Sequence, residues 1–202
     1  DYPTQGNKIT IEHLLTHTSG IHNYSGMKDP EKKLVTDCTP YEVIDFFKNL
    51  PMRFTPGAKW EYSNSGYFLL GYIIEKITGK LYSEYLEENF FKPLGMANSL
   101  YASDKRIIKN RVGAYSYGDN GFENSRPLNP TIIFSAGAIQ STVEDFYKWQ
   151  QAVHSFKLVK KETIEKAFTR YKLSDGTETD YGFGWKLGFV YGGESNYLTS
   201  IQ

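Results

Sequence analysis

The sequence has very little cysteine and no long apolar segment. Its one cysteine, Cys38, excludes an internal disulfide and leaves the redox compartment of the protein open. The longest apolar run, YFLLGYII at residues 67–74, has about eight residues, whereas a membrane-spanning helix needs about 20. No membrane span is therefore predicted.

The sequence also has no excess of positive or negative charge. The 202 residues include 23 Lys and Arg against 23 Asp and Glu, without a basic block. Binders of nucleic acid or of anionic membranes carry a basic patch, so both partner classes are disfavoured and a neutral substrate or a local site is favoured. Aromatic residues are plentiful, with 16 Tyr and 13 Phe, and packing is a commoner use for them than lining a groove for peptide or sugar.

The start of the chain, DYPTQGNKITIEHLL, has neither Met nor a charged segment followed by an apolar one. It is typical of a processed form or an internal fragment. The length of 202 residues suffices for one sizeable core or two small ones.

Capping residues and helical periodicity predict a mainly helical chain up to about residue 168. The clearest helix has apolar residues at helical spacing from Leu69 to Ile77 and ends at Gly79. Further helices are predicted for IEHLLTH after Thr10, PYEVIDFFKNL after Thr39, EYLEENFF opened by Ser83 and closed by Pro93 and Gly95, VEDFYKWQQAV after a capping box at Ser141–Glu144, and KKETIEKAF.

The remaining segments predict little regular structure until the end of the chain. Residues 98–130 are rich in Gly, Asn, Ser and Tyr, which indicates loops and short strands. The segment YGFGWKLGFVYGG, residues 181–193, alternates aromatic or apolar residues with small ones and predicts a strand. A single late strand needs partners, which favours an internal piece of a longer protein.

The tripeptide Tyr62-Ser63-Asn64 stands directly before the clearest helix. In one interpretation Asn64 or Ser65 caps that helix and Tyr62 packs. In the other, the phenol and the carboxamide point the same way from an extended loop and face one cleft. A phenol has a pKa near 10 and becomes a useful proton shuttle near neutral pH only beside a cation.

Four segments resemble the serine β-lactamase and penicillin-binding-protein superfamily: ITIEHLLTHTSGI, the segment from FTPGAKWEYSNSGYF to KPLGM, SAGAIQSTVEDFYKW, and YGFGW. The likeness runs from about Lys8 to Trp185 and is greatest to the branch of class C β-lactamases, D-alanyl-D-alanine carboxypeptidases and esterases. It implies an α/β, two-lobed β-lactamase/transpeptidase-like fold, here mostly the helical lobe plus the start of the antiparallel sheet. Residues 1–202 would be part of one domain, with the helical lobe and loops over 1–168 and a return to the sheet over 169–202.

Three motifs line the active site in that family, and Tyr62-Ser63-Asn64 matches the second, Tyr-x-Asn. The first, Ser-x-x-Lys, is expected upstream of Asp1, because the family places it a few tens of residues before HLLTHTSG. Ser25-Gly26-Met27-Lys28 fits the bare pattern but lies in a Gly-interrupted loop, so Ser25 is a poor candidate nucleophile. For the third motif, Lys/His-x-Gly, Tyr191-Gly192-Gly193 is the candidate substrate-binding segment; alternatively the motif lies beyond Gln202.

The resemblance implies a serine hydrolase that forms an acyl-enzyme with D-alanyl peptides, β-lactams or small esters. In that mechanism Tyr62 relays the proton to the leaving group, and Asn64 binds the substrate amide and holds the Lys. No metal or organic cofactor is implied, and a periplasmic or extracytoplasmic location is expected. Two alternatives stay open: a catalytically degenerate module that binds peptide or glycan, and a helical protein-interaction domain.

Two weaker signals have structural interpretations. His13 and His17 are four residues apart, but Leu14 stands where a zincin has Glu. A structural role, hydrogen-bonding the turn at residues 18–20, is favoured for the histidines. The acidic pairs Glu87-Glu88 and Asp119 with Glu123 lie in polar surroundings, which is typical of a solvated face and not of acid/base catalysis.

Overall fold

The computed structural model describes residues 2–27, 36–125 and 128–188. The α-helices in these ranges are α1 (Ile11–Leu15), α2 (Pro40–Asp45), α3 (Asn64–Thr78), α4 (Tyr82–Leu86), α5 (Pro130–Ile133), α6 (Val143–His154) and α7 (Lys161–Ala167). A π-helical turn at Glu87–Phe91 extends α4, and short 3-10 turns lie at Tyr24–Gly26 and Phe134–Ala136. No helix within the described ranges has the length and apolar character that a bilayer crossing needs.

The strands are short and antiparallel. They are β1 (Leu100–Tyr101), β2 (Tyr115–Gly118), β3 (Gly121–Asn124) and β4 (Ile139–Gln140). β1 pairs with β4, with Leu100 opposite Gln140, and β2 forms a hairpin with β3. The expectation of loops and short strands over residues 98–130 is confirmed for the described part of that segment.

Side-chain caps fix the start of the early helices as predicted. The Oγ1 atoms of Thr10 and Thr39 accept the amide N–H of the third helical residue in α1 and α2. Regular helix ends at Asp45 and not at Leu50, because the next two N–H groups bond to carbonyls three residues back, Phe46 to Val43 at 3.2 Å and Phe47 to Ile44 at 3.1 Å.

Two predicted N-caps are wrong, although α6 begins at Val143 as predicted. α6 is capped by Thr142 and not by Ser141: Thr142 Oγ1 accepts the amide N–H of Asp145 at 3.3 Å, while Ser141 Oγ lies 2.7 Å from Ser99 Oγ. α4 begins at Tyr82, two residues before the predicted Glu84, because the Glu84 carboxylate accepts the N–H of Leu81 at 3.0 Å and so satisfies the first turn from inside the helix.

The core lies around α3, which is the longest described helix. Phe68 in α3 is fully buried, and its ring packs on Phe134 with 4.9 Å between centroids and edge-on to Tyr24 at 5.7 Å. α2 contributes the fully buried Val43 and Phe47 follows it into the same cluster. α3 stops at Thr78 because Gly79 takes the left-handed conformation, as predicted.

The predicted strand over residues 181–193 is wrong for its described part, which ends at residue 188. Gly182 N–H donates to the carbonyl of Trp185 at 2.8 Å, so YGFGW forms a tight turn, and Tyr181 and Lys186 pair across it in one isolated bridge. Gly184 explains the difference, because it has φ +76° and reverses the chain where the alternation pattern alone suggests extension. The turn places the Tyr181 ring beside His17 and 5.9 Å from the ring of Trp60, which lies in the segment that precedes α3.

Candidate active site

The Tyr62-Ser63-Asn64 segment runs extended into α3, with Ser63 at φ −145° and ψ 113°. Tyr62 Oη donates a hydrogen bond of 2.7 Å to Asn64 Oδ1. Ser63 is buried, and its Oγ donates to the carbonyl of Ile21. Side chains alternate along an extended segment, so the phenol and the carboxamide lie on one side and Ser63 serves the loop. The prediction that Tyr62 and Asn64 face the same way is confirmed.

The capping interpretation of this segment is wrong. α3 has no cap from its own first residues. The Asn64 N–H instead donates to Asn23 Oδ1 at 3.2 Å, across 41 positions of sequence. Ser65 Oγ turns the other way and donates to the carbonyl of His22 at 2.6 Å. Because a remote side chain caps the helix, the Asn64 side chain is free for another use.

The Asn64 side chain belongs to a chain of hydrogen bonds. Its Nδ2 donates to Ser25 Oγ at 2.9 Å, and Ser25 Oγ donates to Asn23 Oδ1 at 2.9 Å. Ser25 is exposed and lies in the 3-10 turn, not at the start of a buried helix as a Ser-x-x-Lys serine would. Lys28 lies outside the described residues. Ser25 therefore contributes a polar neighbour to the candidate site.

The His17 ring packs against Tyr62 and two other tyrosines. Its ring lies 4.4 Å from the Tyr62 ring, 4.9 Å from Tyr67 and 4.8 Å from Tyr181, centroid to centroid. Its Nδ1 accepts the Ser63 N–H at 3.1 Å, so the neutral ring carries its proton on Nε2, 3.2 Å from Tyr181 Oη. The structural role predicted for His17 is present, but the predicted partner is wrong, since the ring binds this segment and not the turn at residues 18–20.

His13 has a separate task. Its Nδ1 accepts the Thr10 N–H at 3.3 Å and so completes the capping box of α1. Burial lowers the pKa of His13. The two histidines therefore have different partners on different segments.

Burial sets the protonation states in this cluster. It raises the pKa of the Tyr62 phenol, and no cation among the described residues offsets that effect. It also raises the pKa of Tyr181 to about 12 and lowers the pKa of His17 to about 4. At neutral pH the described part of the cluster is thus uncharged, and Tyr62 holds its proton.

The neutral His17 predicts a pH dependence of stability. Its folded pKa of about 4 lies below the ordinary 6.5, so its stabilising effect is complete above pH 6.5 and is lost as the pH falls toward 4. From about pH 7.5 to about pH 5 the free energy of unfolding should fall by about 2 kcal/mol through this group. Chemical denaturation of the full-length protein at the two pH values measures the difference.

His17→Asn is the matched control for that measurement. An Asn carbonyl can accept the Ser63 N–H in place of Nδ1, and Asn tolerates the left-handed φ of +56° at this position. The variant does not titrate, so its loss over the same pH interval should be smaller by about 2 kcal/mol. An equal loss in both proteins would show that His17 is not the titrating group.

The other predicted positions fall into two groups. Tyr191, Gly192 and Gly193 lie outside the described residues, so their substrate-binding role stays a prediction. The acidic pairs are solvated, as predicted: Glu88 pairs with Lys80, Glu87 lies 3.7 Å from Lys92, and Asp119 and Glu123 are exposed on the β2–β3 hairpin.

Comparison with known proteins places the chain in a family. The beta-lactamase family model matches residues 1–199, almost the whole chain. The chain belongs to the beta-lactamase family. It is 33% identical over 205 residues to penicillin-binding protein 4* of Bacillus subtilis, covering 92% of this chain and 44% of that protein.

Solved structures of this family share the fold. A penicillin-binding protein from Bacillus halodurans superposes with a TM-score of 0.76 at 29% identity, covering 92% of this chain and 57% of that one. A D-stereospecific amidohydrolase from Streptomyces sp. gives 0.73 at 28% identity, covering 87% and 56%. The α/β, β-lactamase/transpeptidase-like fold class is confirmed. The chain spans about half the length of these relatives.

Sequence reasoning missed Asn23 and assigned no site role to Ser25. The signal was slight: Asn23-Tyr24-Ser25 repeats the two-residue spacing of polar side chains seen in Tyr62-Ser63-Asn64. The pairing between the two tripeptides spans about 40 positions of sequence, and a local pattern does not encode such a contact.

Proposed function

We propose that the full-length protein is a serine hydrolase of the beta-lactamase family that works through an acyl-enzyme. The observation that carries this proposal is the 2.7 Å hydrogen bond between Tyr62 Oη and Asn64 Oδ1, made on the side of the segment opposite the buried Ser63. This geometry presents a proton donor and a carboxamide together, a pair that the proposed acyl-transfer mechanism uses and that helix capping does not need.

In the proposed mechanism the nucleophile is a serine of a Ser-x-x-Lys motif upstream of residue 1. The lysine of that motif accepts the serine proton while the serine oxygen attacks the substrate carbonyl, a tetrahedral oxyanion forms, and the bond to the leaving group breaks. Tyr62 relays that proton to the departing nitrogen or oxygen, and Asn64 donates to the carbonyl of the substrate amide. Water then attacks the acyl ester and passes one proton through the same relay to the serine oxygen, which leaves as the hydroxyl.

The substrate class is proposed from the relatives. One is called a penicillin-binding protein and another a D-stereospecific amidohydrolase. Both names fit an amide or lactam beside a D-configured centre, and we favour D-alanyl peptides and small esters over β-lactams as substrates. The uncharged cluster around Tyr62 and the balanced net charge favour such substrates over polyanions.

Covalent labelling tests the proposal. The full-length protein should hydrolyse a p-nitrophenyl ester or nitrocefin with an initial burst and should form a covalent adduct with a fluorescent penicillin. Mass spectrometry of the labelled peptide should place the adduct on a serine outside residues 1–202. An adduct on Ser25 would overturn the assignment of the nucleophile. Saturable binding of peptide without any adduct would favour the degenerate binding module instead.

A further inference from the structure

The hydrogen bonds around Asn23 have a direction that the backbone fixes. Asn23 Oδ1 accepts the N–H of Ser25 at 3.3 Å and the N–H of Asn64 at 3.2 Å. Backbone N–H groups only donate, so the Asn23 atom that faces them is the carbonyl oxygen and not the amide nitrogen. The orientation of this first carboxamide follows from its neighbours alone.

That orientation determines the next two links. The same oxygen lies 2.9 Å from Ser25 Oγ, and since a carbonyl oxygen only accepts, the Ser25 hydroxyl proton points to Asn23. Ser25 Oγ then has only lone pairs for Asn64, so Asn64 must turn Nδ2 toward it, at 2.9 Å. Asn64 Oδ1 is left facing Tyr62, whose hydroxyl donates to it.

We propose that Ser25 is a positioning residue, which acts through Asn64 and is itself oriented by Asn23. This inference rests on the proposed function. Without the Ser25 acceptor the Asn64 carboxamide can rotate by half a turn and present Nδ2 to the phenol in place of Oδ1. In the native orientation one Nδ2 hydrogen binds Ser25, and the second is left for a substrate carbonyl.

The segment that holds Ser25 is anchored well enough for this role. Ser65 Oγ accepts the Tyr24 N–H at 3.0 Å and donates to the carbonyl of His22 at 2.6 Å, which ties the segment to the first turn of α3. Tyr24 is buried, and its Oη donates to the carbonyl of Ile132 at 2.7 Å. Ser25 is exposed at the end of this buried support, so replacing it disturbs the hydrogen-bond chain and not the core.

Two variants of the full-length protein test the proposal. Ser25→Ala removes the acceptor and should lower kcat/KM for a p-nitrophenyl ester about tenfold, the usual worth of one hydrogen bond. Ser25→Thr keeps the hydroxyl and should stay within about threefold of the natural protein. Melting temperatures should be alike in both variants, because position 25 is exposed. A fall of similar size in both would contradict the proposal.

The pH dependence of the rate separates positioning from mere stability. In the natural orientation Tyr62 donates to Asn64, which favours the neutral phenol; a rotated carboxamide donates to Tyr62 and favours the phenolate. In Ser25→Ala the basic limb of the kcat/KM profile should therefore move to lower pH by about one unit, and in Ser25→Thr it should not move.

The described titratable neighbours of Tyr62 do not interfere with this measurement. They are His17, Tyr24, Tyr67 and Tyr181. Burial lowers the pKa of His17 to about 4 and raises the pKa of each of the three phenols, that of Tyr181 to about 12. None of these groups titrates between about pH 5 and pH 10.

Tyr62→Phe in the same assay keeps the two claims apart. If Tyr62→Phe retains the full rate, the proposed function is wrong, whatever Ser25 does. If Tyr62→Phe loses most of its activity while Ser25→Ala keeps the natural kcat/KM and the natural position of the basic limb in the pH profile, the proposed function stands. The positioning role of Ser25 is then overturned.

Discussion

Tyr62→Phe in the full-length protein is expected to lower turnover by about 10² to 10⁴, the usual worth of a placed proton donor. The substitution removes one oxygen and keeps the ring, so the packing on His17 at 4.4 Å survives. The lost hydrogen bond joins Tyr62 to Asn64, which are both only partly buried. The free energy of unfolding should fall by no more than about 1 kcal/mol.

Tyr67→Phe is the matched control for this prediction. Tyr67 also packs on the His17 ring, with 4.9 Å between centroids, but its Oη donates to the backbone carbonyl of Leu15 at 2.8 Å and not to Asn64. Removing that partly buried hydroxyl should cost about 1 to 2 kcal/mol of stability and leave turnover within a few-fold. Tyr62→Phe should therefore lose mainly turnover, measured as the steady-state rate. Tyr67→Phe should lose mainly stability, measured as the denaturant midpoint. A Tyr62→Phe enzyme with natural turnover would remove Tyr62 from the mechanism.

Local chemistry explains why much of the fold could be predicted. The apolar spacing from Leu69 to Ile77 and the stop at Gly79 are properties of one continuous segment, and α3 follows them. Thr39 and Glu42 cap α2 within four residues of sequence. The predicted cap of α6 is wrong by one residue, because the hydroxyl of Ser141 forms a hydrogen bond with Ser99 from a remote segment and Thr142 caps the helix.

The site was predictable only as far as its local motif. Tyr62 and Asn64 are two apart in an extended segment, so their shared direction follows from backbone geometry. The residues that hold them come from elsewhere: His17 accepts the Ser63 N–H across 46 positions, and Asn23 accepts the Asn64 N–H across 41. Such pairings depend on the tertiary packing of remote segments against the start of α3, and a local periodicity of apolar residues does not predict that packing.

The glycine at position 20 links the stability of the chain to this site. Gly20 has φ +73°, and a Cβ built there would lie 2.1 Å from the carbonyl oxygen of Phe54. The two segments are joined by backbone hydrogen bonds, including 2.8 Å from Arg53 N–H to the Gly20 carbonyl and 2.9 Å from Glu61 N–H to the His17 carbonyl. The backbone segments around Gly20 and Phe54 therefore cannot move apart to make room for a Cβ without breaking these hydrogen bonds.

Gly20→Ala is therefore expected to lower the free energy of unfolding of the full-length protein by about 3 to 5 kcal/mol, the sum of left-handed strain and overpacking against backbone. This loss is a large part of the 5 to 15 kcal/mol that usually separates folded from unfolded protein. Denaturant unfolding measures it, and a poor soluble yield is the accompanying sign. Because Asn23 follows three residues later, any protein that does fold should also lose activity.

Gly79→Ala separates the two contributions. Gly79 has φ +69°, close to that of Gly20, yet no other described atom lies within 4 Å of its built Cβ. This variant suffers the left-handed strain alone and should lose about 1 kcal/mol. The excess loss in Gly20→Ala is then the cost of separating the Gly20 and Phe54 backbones. Equal losses in the two variants would mean that the segment carrying His17 and Asn23 can move, and the fixed geometry proposed for Asn64 would lose its support.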